Sequence, residues 1–160
     1  MPADRATPSS SAVSRAGGTD APREPMNAED QCALDIVRLG YATDDPIDKR
    51  RCLTFTARFD SLDGAQQAVR TIGHYNGFNG ERVAGALASI AALPGALGSP
   101  GFCVGRESSP CVYVNQLPQA DSVVEQVIAI LRDAAADEAD EVHDGGPGGS
   151  FGRTVRAWWD

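Results

Sequence analysis

The chain has 160 residues, 42% of them apolar, and its 22 acidic against 14 basic side chains leave a net charge of −8. That length suits one domain around one core. The negative field repels phosphate backbones, which argues against free nucleic acid as the main partner and more easily accommodates a basic protein surface or a small cation. No run reaches the ~18 apolar residues of a membrane span, and the N-terminus has no hydrophobic signal core, so the expected compartment is cytoplasmic, with no membrane partner.

Met1 to Pro25 is rich in Ser, Ala, Pro, Gly and Arg, with Val13 the only large apolar side chain after Met1. Such a stretch cannot bury enough surface to offset its ordering entropy, and residues 1–25 are predicted to be disordered. Residues 26–160 are expected to form a single α+β domain, with Met26 as an alternative start. Asn27 caps a predicted helix whose third position, Asp30, makes a variant capping box. Cys32, Ile36 and Leu39 are read as its inward face, joined by Ala33 and Val37, and Gly40 ends it. Asp44, Asp45 and Pro46 form a turn, and Lys49, Arg50 and Arg51 read as a solvated cluster at the mouth of a strand.

In that strand Leu53, Phe55, Ala57 and Phe59 alternate with Cys52, Thr54, Thr56 and Arg58, the period of one buried face. Asp60 or Ser61 caps the helix that follows, Leu62, Ala65, Val69 and Ile72 line its inner side, and Gly73 stops it. The Gly- and aromatic-rich stretch from Gly73 to Gly80 is read as a loop. Its Tyr75 and Phe78 either fold back on the core or serve as rigid contact anchors. The glycine spacing does not match a phosphate-binding loop.

Glu81 to Leu93 is an Ala-rich helix with Val83, Leu87 and Ile90 on one side, closed by Pro94. Phe102 to Gly105 and Cys111 to Asn115 form a predicted hairpin across Arg106 to Pro110. Asp121 opens a helix with Val124, Val127, Ile128, Leu131 and Ala135 inward. Asp133, Asp137, Glu138, Asp140, Glu141 and Asp144 crowd its end, where acid opposes the helix dipole, so the end either frays or is kept for a basic partner. A glycine-rich connector over 144–150 leads to a last strand, Phe151 to Trp159, expected at a sheet edge. Strand, helix, strand, strand, helix, strand is the pattern of a ferredoxin-like split βαβ two-layer sandwich, here with an extra N-terminal helix and an inserted Ala-rich helix.

Cys32, Cys52, Cys103 and Cys111 lack zinc-site spacing and read as buried free thiols, although Cys103 and Cys111 would be in reach of a disulfide if the hairpin set them opposite each other. His74 and His143 fall in expected loops without a visible partner. Asp44 and Asp45 are a poor acid–base pair, and Cys103 lacks an evident base. No catalytic, cofactor or metal motif is found. A small enzyme using the loop histidines remains the alternative to a non-catalytic binder.

Two pieces of the chain together resemble the ribonuclease E inhibitor family, the regulators of ribonuclease activity of the B type. One runs from the helix ending at Leu39-Gly40, through Asp44-Asp45-Pro46 and the strand Cys52 to Phe59, to the helix opening at Asp60. The other carries Val124-Glu125-Gln126-Val127 and reaches His143-Asp144-Gly145-Gly146, where the family has aromatic-Asp-Gly-Trp. His143 stands in place of that aromatic and Gly146 in place of the Trp, and the insertion from His74 to Gly101 is a further departure. The resemblance implies a small acidic α+β protein that binds another protein and restrains a nuclease without catalysis of its own. An immunity protein neutralising a toxin would share these features. The candidate protein-binding residues are Tyr75, Phe78, Asp137, Glu138, Asp140, Glu141 and Asp144, and the sequence sets no oligomeric state.

Overall fold

Alternation along the first strand, β1 (Phe55–Phe59), buries Ala57 and Phe59 beneath helices and leaves Thr56 and Arg58 exposed on the other face. The computed structural model describes residues 25–42, 54–75, 77–94, 101–135, 141–145 and 152–159. The predicted N-terminal disorder up to Glu24, the Asp44-Asp45-Pro46 turn, the basic cluster 49–51, Cys52 and Leu53 at the expected start of the strand, and most of the glycine connector lie outside them.

Helix α1 (Ala28–Tyr41) precedes β1, and α2 (Leu62–Ile72) follows it. The Asn27 side chain accepts the Asp30 N–H at 2.7 Å, and the Ser61 hydroxyl accepts the Gly64 N–H at 3.0 Å, so both helices begin on a capping residue. The stretch expected to be a loop holds a miniature hairpin, β2 (His74–Tyr75) with β3 (Phe78–Asn79). It leads into α3 (Gly80–Ala91), which Asn79 caps by accepting the N–H groups of Glu81 and Arg82. β4 (Gly101–Glu107) and β5 (Ser109–Leu117) form the hairpin, turning on Ser108 at φ 67° rather than on the five residues expected. Then come α4 (Asp121–Ala135), β6 (Glu141–Asp144) and β7 (Arg153–Trp158).

The result is an α+β two-layer sandwich. A five-stranded sheet of order β1-β4-β5-β7-β6, with every neighbouring pair antiparallel, carries the helices on one face. The helices pack in chain order, α1 on α2, α2 on α3 and α3 on α4, with α1 over β1 and α4 over β6 and β7. Phe59, Phe102, Val104, Val112, Val114, Val127, Leu131, Val155 and Trp159 fill the space between the layers. No helix among the described residues is long and apolar enough to cross a membrane.

The split βαβ arrangement occurs once. β5, α4 and β6 form it, two parallel strands with β7 between them. In the first half two helices, α2 and α3, separate β1 from β4. A second helix reverses the chain once more, so β4 returns antiparallel to β1 and becomes its direct neighbour. The Ala-rich insertion therefore changes the strand order of that half. β6 also corrects the reading of the acidic end of α4, because Glu141 to Asp144 is strand. It takes the sheet edge that the last strand was expected to occupy, and β7 lies inside.

Candidate functional site on the open sheet face and the outer flank of α1

Pairing register decides which side chains share the helix-free face. Thr56 stands opposite Gly105, Arg58 opposite Cys103, Cys103 opposite Tyr113, and Tyr113 opposite Arg156. A register shift between Val114 and Leu117, with Gln116 at φ 61°, brings Thr154 beside Asn115. Short residues alternate with tall ones across this surface. Thr56, Arg58, Cys103, Tyr113, Asn115 and Thr154 thus enclose a depression of about 500 Å³. Its floor is a hydrogen-bonded chain: Thr154 Oγ1 donates to Asn115 Oδ1 at 3.0 Å, and Asn115 Nδ2 donates to Cys103 Sγ at 3.1 Å.

Beside the depression lies a charged network. Arg156 donates to Glu107 at 2.5 Å and to Glu141 at 2.7 Å, and its guanidinium sits 5.8 Å from the centre of the Trp158 ring. Tyr113 donates its hydroxyl to Glu107, and Trp158 Nε1 donates to the Glu107 carbonyl at 3.1 Å. The hydrogen bond from Tyr113, with a further one from Arg156, holds the Glu107 carboxyl below its ordinary range against the opposing effect of burial. Tyr113 itself is pushed up, by burial first and then by its carboxylate partner.

The thiols on this face are not activated. Burial raises the pKa of Cys103 and drives Cys111 up to about 12. His143 lies on β6, three strand spacings from the Cys103 strand, or about 14 Å at ~4.8 Å each, and its nearest ionic partner is Glu141 at 3.6 Å. Cys103 therefore lacks that histidine as a base. Cys103 faces Tyr113 while Cys111 faces Gly105, so the two thiols are offset by two residues and both are free.

The sequence candidates are distributed differently from expectation. Phe78 is not a surface anchor. It is fully buried, edge-on to Trp159 with ring centres 5.0 Å apart. Tyr75 is half-buried in a cluster with Tyr41 and Arg106. In that cluster the buried Arg106 donates to the Gly40 carbonyl at 2.8 Å, placing a cation at the negative end of α1. Glu141 is tied to Arg156. Asp144 is held at 2.5 Å by Arg153, which also binds Asp121 and the Gln119 carbonyl, each at 2.8 Å, and so staples β6 and β7 to the start of α4. Both are structural ion pairs. Asp137, Glu138 and Asp140 lie outside the described residues, as do Asp44 and Asp45. His74 is exposed on β2.

One further surface was missed. The buried face of α1 is Asp30, Ala33, Leu34, Val37 and Gly40, not the face of Cys32, Ile36 and Leu39. Those three form a stripe on its outer side, with Ile36 43% and Leu39 72% exposed. The helix has apolar residues on two flanks, so periodicity alone could not choose between them. Gly40 settles the choice: a Cβ there would lie 2.0 Å from the Phe55 ring, so only a glycine lets α1 sit this close to β1.

Comparison with protein-family models, with curated proteins and with solved structures returned no match, so the reading of these surfaces rests on their own geometry.

Proposed function

We propose that this chain is a small acidic, non-catalytic regulatory protein that docks on a basic partner protein, with the outer flank of α1 as the contact. The observation that carries the reading is the joint exposure of Ile36 and Leu39, the two exposed large aliphatic side chains among the described residues, which occupy one helical stripe. Exposed acids, Glu29 and Asp35, border that stripe, Asp35 in an exposed ion pair with Arg38 at 3.0 Å. An apolar centre edged by Glu29 suits a surface that has its own apolar patch, and the net charge of −8 steers a basic partner into encounter. The resemblance to the ribonuclease E inhibitor family supports a nuclease as that partner.

The competing enzymatic reading needs a nucleophile or base in a cleft. The depression on the sheet holds a protonated thiol and a hydrogen-bonded amide, and the described histidines are exposed away from it. Salt-graded affinity capture from the native host tests the binder reading. Retention of an identifiable basic protein at low salt, released as salt rises, is the expected result. Retention of nothing, or of free RNA alone, overturns it.

A further inference from the structure

The depression above Cys103 belongs to no part of the docking surface on α1, and its lining has a one-sided chemistry. Arg58 brings a guanidinium, 51% exposed, whose Nε lies 3.4 Å from Asp60, so most of its donor fork is turned to solvent. Asn115, 5% exposed, spends its carbonyl on Thr154 and one amide hydrogen on Cys103, which leaves the second amide hydrogen unspent. Thr56 adds a hydroxyl, and Cys103 retains its S–H because burial raises its pKa. Donors thus outnumber acceptors. The aromatic wall has the opposite character, because Tyr113 turns its hydroxyl away to Glu107 and presents ring to the depression.

We propose that this depression binds a small planar carboxylate, its two oxygens on the Arg58 fork and the Asn115 amide, its flat body against Tyr113 and the Cys103 sulfur. A guanidinium N–H to a carboxylate oxygen is a charge-assisted hydrogen bond, stronger than one between neutral groups. Sulfur and a ring edge favour a flat apolar body over an extended one. The volume of about 500 Å³ accommodates one or two fused rings. Apart from Asp60, the carboxylate nearest this wall is Glu107, which turns to Tyr113 and to Arg156; that guanidinium is shared with Glu141, so the network keeps a net charge of −1 and Arg58 is the cation that draws an anion in.

The test is an amide NMR titration of the full chain with benzoate, benzamide and acetate. Benzoate is expected to shift the Cys103, Tyr113 and Asn115 amides, with acetate and benzamide each weaker. Arg58→Gln, a change at a half-exposed side chain whose amide spectrum should otherwise match that of the parent, is expected to weaken benzoate about tenfold or more, the worth of a charge-assisted hydrogen bond. Benzamide binding as tightly as benzoate, shifts at other amides only, or an Arg58→Gln affinity within about twofold of the parent would overturn the proposal.

Discussion

The Asp30 carboxylate of α1 accepts the Ser61 backbone N–H at 3.1 Å and the Ser61 hydroxyl, and also takes the Asp60 N–H at 2.8 Å. Ser61 caps α2, so a buried acid of one helix completes the N-terminus of the next, where orphan donors and the positive end of the dipole both favour a carboxylate. The acid that was expected to close its own helix in a capping box closes its neighbour instead.

Removing that carboxylate leaves part-buried donors at the start of α2 without a partner. Asp30→Ala is expected to lower stability by about 1 to 3 kcal/mol in urea denaturation. Gly64→Ala is expected to destabilise too, because its Cβ would lie 2.6 Å from Asp30 Oδ2. A Gly64→Ala midpoint equal to that of the parent would show that the two helices are not held this tightly.

Stability should fall with acid in a way that depends on Glu107. Its carboxyl is lowered from the ordinary 4.5, so the ionised form stabilises the fold above that pH, and the contribution is lost as pH falls through the native value. The parent should therefore lose melting temperature faster than Glu107→Gln as pH drops below about 4.5. Parallel profiles for the two proteins would contradict the network around Arg156.

Thiol chemistry separates the cysteines. Cys32 is exposed on α1, whereas burial holds Cys103 and Cys111 protonated. Brief iodoacetamide treatment followed by peptide mass mapping should find Cys32 modified, and Cys103 and Cys111 modified only after denaturation. Labelling of Cys111 at the rate of Cys32 would mean that the open face is looser than described.

The two phenylalanines of β1 differ in weight. Phe59 is fully buried, and Phe59→Ala should cost about 3 to 5 kcal/mol. Phe55 is half-buried at the start of the strand, edge-on to Tyr41 at 5.9 Å, so its truncation should cost less. A reversed order of midpoints would shift the centre of the core toward α1.

The β1–α2 unit was legible because alternation, a capping serine and a helical stripe all point the same way. β6 was hidden because Val142 is its one buried residue, too little to display a period of two. The depression was hidden for another reason: Arg58, Cys103, Asn115 and Thr154 come from four strands, and only their register brings them together. Local pattern carries element type well and carries strand order poorly.

The most direct measurement is parallel affinity capture with the parent chain, the double variant Ile36→Ser with Leu39→Ser, and Arg58→Gln. These side chains are exposed, so all three proteins should fold alike. The parent and Arg58→Gln are expected to retain the same basic protein, and the double variant to lose it. Equal capture by the double variant would contradict docking through α1.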